Sequence, residues 1–190
     1  MVKVLFIDPY GWQGYLSGNV AYPNVGIAYL ISHLKKCGHR IKILDMNNQL
    51  CNHAGILSVL KEFKPSLIGI SVKTATIDYA KEIAEFAKKS YPHIPIILGG
   101  AHVAIERENL IKERSFDAIF LGEGESSLSE LCDYYHKNQK LPQLDCLITR
   151  DSGNHMPYQM SINIELDSLE FPDYEDFPDC VKKNVTTQVV

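Results

Sequence analysis

Short apolar runs alternate along the chain with segments in which apolar residues recur at helical spacing. The apolar runs fall at residues 2–8, 40–45, 67–72, 94–98 and 118–121. They are continuously apolar, which is typical of parallel strands buried on both faces. Each is followed by a helical pattern, at residues 24–37, 55–63, 77–90, 105–114 and 128–137. Ser127 and Glu130 have the spacing of a capping box at the start of the last helix.

Five β-then-α units joined by short connections predict an α/β fold with a doubly wound, parallel, five-stranded sheet. Because crossovers between parallel strands are right-handed, the expected arrangement is Rossmann-like or flavodoxin-like, with strand order 2-1-3-4-5. After residue 141 the pattern changes. We therefore expect three parts: a domain over residues 1–141, a β-hairpin over 142–163, and an extended segment rich in Pro, Asp and aromatic residues over 164–190.

The net charge limits the classes of binding partner, and the cysteine spacing limits the expected disulfides and metal sites. The net charge is -4 and the basic residues are scattered, so we expect neither nucleic acid nor an anionic membrane surface as partner. The first apolar run ends at Asp8, too soon for a signal peptide or a membrane span, which favours a cytoplasmic protein. Five widely spaced cysteines form neither a disulfide framework nor a metal-binding pattern.

Ligands of open parallel sheets bind beyond the carboxyl ends of the strands, and this rule selects four loops. They are residues 9–23, 73–76, 99–102 and 122–125. Two apolar runs end abruptly in glycine, in the segments IILGGAHV at 96–103 and FLGEGESS at 120–127, which is how a strand brings bare backbone to a ligand. The long first loop has aromatic residues among glycines and would suit a flat, mostly apolar ligand. Its segment GWQGYLSG at 11–18 matches neither the dinucleotide fingerprint nor a Walker A loop.

Several segments, in order, resemble the N-terminal cobalamin-binding domain of B12-dependent radical S-adenosylmethionine (SAM) proteins. They are YPNVGIAYL at 22–30, Gly38-His39, Asp45, KPSLIGIS at 64–71, LGGAHV at 98–103, Asp117 and GEGE at 122–125. The segment LDSLEFPDY at 166–174 is similar to the link into the catalytic barrel of that family, with Glu170 where proline is usual. The resemblance covers roughly residues 2–178.

The resemblance implies that the corrin ring lies over the strand ends and that the dimethylbenzimidazole nucleotide tail enters the sheet beside Ser71 and Gly99-Gly100. A side chain at 99 or 100 would occupy space that the tail needs, and Ser71 can hydrogen-bond a buried ring nitrogen or hydroxyl. The predicted cofactor-binding residues are Tyr10, Gly11, Trp12, Ser71, Lys73, Thr74, Gly99, Gly100, Ala101, His102, Gly122, Glu123 and Glu125.

Two departures from cobalamin-protein patterns shape the expected chemistry. Residues 8–13 read DPYGWQ, with Tyr10 where proteins that ligate cobalt through histidine carry Asp-x-His-x-x-Gly. We therefore expect base-off, His-off cobalamin. The chain also has no Cys-x3-Cys-x2-Cys motif, so SAM and a [4Fe–4S] cluster would belong to a radical SAM barrel domain supplied in cis or in trans. No catalytic or metal-ligating residue is predicted here, and we expect binding rather than turnover.

Other interpretations of single residues stay open. Gly99 and Gly100 also suit close helix-strand packing, and Glu123 and Glu125 also suit a helix N-terminus. His102 is interpreted as a contact at the rim of the site rather than a cobalt ligand, Trp12 as a corrin or loop contact, and Thr76 as a helix cap. The alternative functions are a flavodoxin-like flavin or nucleotide-binding protein and a non-catalytic interaction domain. Only the cobalamin hypothesis predicts a cavity beneath Gly99-Gly100 that admits benzimidazole.

Overall fold

The computed structural model describes residues 1–10, 22–49, 51–150, 169–179 and 181. Six strands and five α-helices alternate within them. The strands are β1 (Lys3–Asp8), β2 (Arg40–Asp45), β3 (Leu67–Ser71), β4 (Ile96–Gly99), β5 (Ala118–Phe120) and β6 (Leu147–Thr149). The helices are α1 (Val25–Lys36), α2 (His53–Phe63), α3 (Ile77–Ser90), α4 (Val103–Leu110) and α5 (Glu125–Asn138), and a 3₁₀ turn at Thr74–Thr76 precedes α3.

The predicted fold class is confirmed. The strands form one sheet of order β2-β1-β3-β4-β5-β6, in which the first five are parallel. β6 adds a sixth strand by pairing antiparallel with β5, Ala118 opposite Thr149. The sequence indicated a separate hairpin there, and the second strand expected for that hairpin lies outside the described residues.

Alternate residues of each strand face opposite helical layers, as the two-residue period of a strand requires. Leu5, Ile68 and Leu98 face a core closed by α2, α3 and α4. Val4, Leu67 and Ile97 face a second core closed by α1 and α5. The site described below lies in this second layer.

Two predicted helix caps differ from the structure. α5 begins at Glu125 after Gly124, with no side-chain cap, so the capping box expected from Ser127 and Glu130 is wrong. The reason is that the chain turns at Gly122 (φ 82°) and is helical before Ser127 is reached. Thr76 precedes α3 but does not cap it. Its hydroxyl instead accepts a hydrogen bond from the Lys73 N–H (3.0 Å) within the 3₁₀ turn.

Residues 169–179, here called the C-terminal strap, lie along α1. The Asp173 N–H donates to the carbonyl of Ala28 at 3.1 Å. Lys35 pairs with Asp173 and Asp176, at 2.8 and 2.6 Å. Phe177 is 2% exposed and belongs to the α1/α5 core. The strap is therefore part of the packed molecule.

None of the helices in the described part of the chain combines the length and apolar character needed to cross a bilayer.

Candidate functional site

A cavity of about 210 Å³ lies between the sheet and helices α1 and α5. It extends from Ser71, Gly99 and Gly122, at the carboxyl ends of three strands, to Val4 and Leu67 near the starts of two strands. Most of its surface is apolar. The sheet contributes Val4, Phe6, Leu67, Gly69, Ile97 and Phe120, and the helices contribute Ile27, Leu30 and Leu128.

The absence of a side chain has a different consequence at each glycine around the cavity. A Cβ added at Gly99 would have no heavy atom within 4 Å, so a side chain there would enter open space in the cavity. A Cβ added at Gly69 would come within 2.9 Å of the Phe6 ring, which lies across this strand position. Glycine at 69 therefore allows Phe6 to form part of the cavity wall.

The structure contradicts the prediction that glycine at 100 leaves space for the nucleotide tail. Its φ is 105°, and an added Cβ would come within 2.7 Å of the carbonyl oxygen of Val72. A side chain at 100 would meet backbone rather than take the space of a ligand. Gly100 lines the cavity, but its glycine is required by the turn between β4 and α4.

Polar groups at the mouth of the cavity form one network centred on Asn24. The Asn24 side-chain oxygen caps α1 by accepting from the Ile27 N–H (3.2 Å). Its amide nitrogen donates to Asp8 Oδ1 (3.1 Å) and to Ser71 Oγ (3.0 Å). Asn24 and Ser71 both line the cavity. The network therefore ties the start of α1 to the ends of β1 and β3.

Asp8 is the buried carboxylate of this network, at 3% exposure. Burial raises its pKa, whereas the charge of Lys73, whose Nζ lies 3.9 Å from Oδ1, and the hydrogen bond from Asn24 lower it. The neighbouring carboxylate of Asp45 raises it further, and the Asn47 amide (3.0 Å from Oδ2) opposes the shift. Together these effects raise the pKa of Asp8 above its ordinary value.

Glu125 is a buried polar residue of the cavity wall. It is 7% exposed, and its Oε2 has no hydrogen-bond partner in the described part of the structure. Glu123, two residues earlier, lines the same cavity but is exposed. The GEGE segment thus places one carboxylate inside the cavity wall and one at the surface.

Of the predicted residues, the cavity brings together Ser71, Gly99, Gly100, Gly122, Glu123 and Glu125. Lys73, Thr74, Ala101, His102 and Tyr10 do not line it. His102 is 4% exposed, not at a rim, and its Nδ1 lies 3.2 Å from the Thr74 hydroxyl. The Tyr10 ring packs edge-on against Tyr79, with centroids 4.7 Å apart. Gly11 and Trp12 lie outside the described residues.

The prediction missed Asn24 and Gly69. Both carry a sequence signal that was available. An asparagine directly before an apolar helix pattern is a typical N-cap, and a glycine inside a buried strand marks a close approach.

Comparison with known proteins identifies the family to which the chain is similar. The model of the B12 binding domain matches residues 17–132, more than half of the chain. Among curated relatives, an uncharacterized methyltransferase, PH0819, of Pyrococcus horikoshii is 29% identical over 160 residues, covering 82% of this chain and 34% of that protein. Cytidylyl-2-hydroxyethylphosphonate methyltransferase of Streptomyces wedmorensis is 26% identical over 148 residues, 68% of this chain and 28% of that protein. The chain thus spans about a third or less of the length of these relatives.

Solved structures share the fold. The cobalamin-dependent SAM radical enzyme OxsB, with aqua-cobalamin and SAM bound, superposes with a TM-score of 0.78 at 20% identity, over 96% of this chain and 25% of that chain. The radical SAM methyltransferase TsrM of Kitasatospora setae, with cobalamin and a [4Fe–4S] cluster bound, has a TM-score of 0.65 at 17% identity, over 77% of this chain and 27% of that chain.

The family match confirms both the resemblance stated from the sequence and its cofactor, since B12 is cobalamin. It covers α1 through most of α5, the elements that hold the cavity-lining residues other than Val4 and Phe6. The chain belongs to the B12 binding domain family.

Proposed function

We propose that this chain holds cobalamin in base-off, His-off form, as the accessory domain of a B12-dependent radical SAM enzyme. Base-off means that the dimethylbenzimidazole of the nucleotide tail does not coordinate cobalt, and His-off that no protein histidine does. The observation that carries the proposal is the apolar cavity beneath Gly99, open where a Cβ would otherwise stand.

The cavity suits the tail in size and chemistry. A cavity of roughly 150 Å³ lined by apolar side chains is enough to bind benzene. At about 210 Å³, the present cavity has room for a larger, fused aromatic ring. Phe6, Ile97 and Phe120 offer the apolar surface that such a ring would bury, at roughly 25 cal/mol per Å² of apolar area. Ser71 offers one polar contact at the strand end.

The residues at the carboxyl ends of the strands would hold the corrin. Gly122 and Glu123 lie at this edge beside the cavity, and Lys73 follows β3 there. Of the other predicted contacts, Thr74 and Ala101 would act from the β3 and β4 loops, and Tyr10, Gly11 and Trp12 from the loop after β1. His102, which is buried, would position the Thr74 hydroxyl. Bound cobalamin supplies a cobalt centre that can carry a methyl group; the residues of this chain bind and orient it.

His-off binding is supported by the first strand end. Tyr10 occupies the motif position of a cobalt-ligating histidine, and its ring packs on Tyr79. The motif therefore offers no imidazole to cobalt.

The rest of the enzyme would come from a radical SAM barrel, as a domain in cis or a partner in trans. Relatives named as methyltransferases and neighbours described as SAM radical enzymes favour methyl transfer or related radical chemistry. The anaerobic magnesium-protoporphyrin IX monomethyl ester cyclase of Cereibacter sphaeroides, 26% identical over 70% of this chain and 22% of that protein, is named as a cyclase rather than a methyltransferase, which is why the proposal includes related radical chemistry. The 190 residues contain no Cys-x3-Cys-x2-Cys motif for the cluster.

Titration of the purified chain with hydroxocobalamin, followed by visible absorption, tests the proposal. We expect saturable binding and a base-off spectrum. Gly99→Leu is the matched variant because its side chain enters open space, so it should fold normally yet bind at least about 10-fold more weakly, since it takes volume from the tail.

Gly100→Leu serves as the contrasting variant. It should lower the melting temperature of the free protein, because its Cβ meets the Val72 backbone. Absence of cobalamin binding by the wild type, or undiminished binding by Gly99→Leu, would refute the proposed tail site.

A further inference from the structure

Helix α1 contacts both the cavity and the C-terminal strap. Ile27 and Leu30 of this helix line the cavity, which lies between them and the sheet. Along the cavity, side chains of α1 lack the contacts with the strands that a filled interior would give them. The position of the helix therefore depends on its other neighbours, which include α5, β2 and the strap.

Ala28 is the residue of α1 at which the two contacts meet. It is fully buried. Its N–H donates to the carbonyl of Asn24 at the mouth of the cavity (3.1 Å), and its own carbonyl accepts from the Asp173 N–H of the strap (3.1 Å). The strap is thus bonded to the part of the helix where the cavity wall begins. α1 cannot move away from the sheet without carrying the strap along or breaking this hydrogen bond.

Opposite charges hold the strap on the helix. Residues 169–179 contain five carboxylates and neither lysine nor arginine. Lys35, in the last turn of α1, pairs with two of these carboxylates, those of Asp173 and Asp176, and Lys36 pairs with a third. Ion pairs this exposed are worth little singly and are screened by salt. The strap is therefore an element that can detach before the core unfolds.

We propose that the strap acts as a clamp on the cavity, so that strap attachment and ligand binding stabilise each other through α1. With the strap attached, α1 is held over the cavity. With the strap detached, α1 can move away from the sheet, and the ligand loses its contacts with Ile27 and Leu30. A domain or partner that draws the strap off α1 would then release the ligand. The inference rests on the proposed function for the identity of the ligand, cobalamin, and not for the coupling itself.

Amide hydrogen exchange tests the coupling without any ligand. Asp176→Lys turns the attraction to Lys35 into a repulsion and leaves the sequence of α1 unchanged. It should speed exchange of the Asp173 N–H by about 3- to 10-fold. The Ala28 N–H should accelerate by the same factor, because α1 opens only after the strap detaches. Combining Lys35→Glu with Asp176→Lys swaps the charges and should restore both rates.

Glu62→Lys is the matched control, because it makes the same change of net charge at an exposed position of α2, in the other helical layer. It should alter neither exchange rate. In Asp176→Lys, faster exchange of the Asp173 N–H alone would overturn the inference, because the strap would then detach without loosening α1. Unchanged exchange of both groups would overturn it as well, because the ion pair would then not hold the strap.

Cobalamin provides the reciprocal measurement, since coupling between two sites acts equally in both directions. Saturating cobalamin should slow exchange of the Asp173 N–H by at least about 5-fold. The Lys64 N–H, bonded to Leu60 at the end of α2, should not change. Bound cobalamin without added protection of the Asp173 N–H would contradict the clamp. If the wild type binds no cobalamin, the proposed function fails, and the Asp176→Lys comparison still determines whether strap and helix are coupled.

Discussion

Asp8 is one buried carboxyl through which the stability of the protein depends on pH, and its neighbour Asp45 is another, with a pKa also raised by burial. The pKa of Asp8 is raised above the ordinary value of 3.8, chiefly by burial. Between 3.8 and that raised value the folded state therefore binds more protons than the unfolded state. The contribution of Asp8 to stability therefore falls as pH rises through this window and is constant above it, the reverse of a salt-bridged carboxylate.

Replacing Asp8 by Asn removes this titration. The free energy of unfolding of Asp8→Asn minus that of the wild type should increase from about pH 4 to about pH 7, whatever its constant offset from altered hydrogen bonds with Asn24 and Asn47. Urea unfolding at both pH values measures it. Asp145→Asn, at an exposed position, should show no such change. A difference for Asp8→Asn that stays level or decreases with pH would contradict the burial argument.

The sequence predicted the site residues whose position depends only on where a strand ends. Ser71 and Gly99 end apolar runs, and a parallel sheet brings such ends to one edge. Asn24 was missed because its role depends on contacts with Asp8 and Ser71, 16 and 47 residues away along the chain. Gly100 was selected for the wrong reason, since neither its positive φ nor the Val72 carbonyl can be read from composition.

At the scale of elements, hydrophobic periodicity predicted five parallel strands and their order, because each is a long enough apolar run between helical patterns. β6 pairs antiparallel with β5 and needs no crossover helix, so the alternation of strands and helices gave no signal that it joins the sheet. The start of α5 was misplaced because periodicity does not show where a glycine-rich segment becomes helical.

Two kinds of contact attach the strap to the rest of the molecule, the buried ring of Phe177 and the ion pairs of Lys35, and their contributions to stability can be measured separately. Phe177 is 2% exposed in the α1/α5 core, so Phe177→Ala should cost about 3 kcal/mol. Lys35→Ala removes the pairs with Asp173 and Asp176, but this side chain is 31% exposed and solvent screens it, so the cost should stay below about 1 kcal/mol.

Urea unfolding of both strap variants gives these two free energies. A cost under about 1 kcal/mol for Phe177→Ala would show that the strap is not part of the cooperative core in solution. A larger cost for Lys35→Ala than for Phe177→Ala would mean that charge, not burial, holds the strap on α1.

At the scale of the molecule, the two helical layers are not equally packed. The layer of α2, α3 and α4 forms a continuous core, whereas the layer of α1 and α5 encloses the cavity. Voids of this size lose the contacts that side chains would otherwise make, so a ligand that fills this one should stabilise the folded state more than an equal contact at the surface. Binding and global stability are therefore linked here.

Thermal unfolding with and without ligand measures this linkage and separates the cobalamin hypothesis from the flavin alternative. Cobalamin at about 100 times its dissociation constant should add about 2.7 kcal/mol, which for a domain of this size raises the melting temperature by about 5 to 10 °C. Flavin mononucleotide should produce no shift, and Gly99→Leu should keep the melting temperature of the free protein while losing most of the cobalamin shift. A shift with the flavin and none with cobalamin would show that this cavity, despite its family, serves a flat ring of another kind.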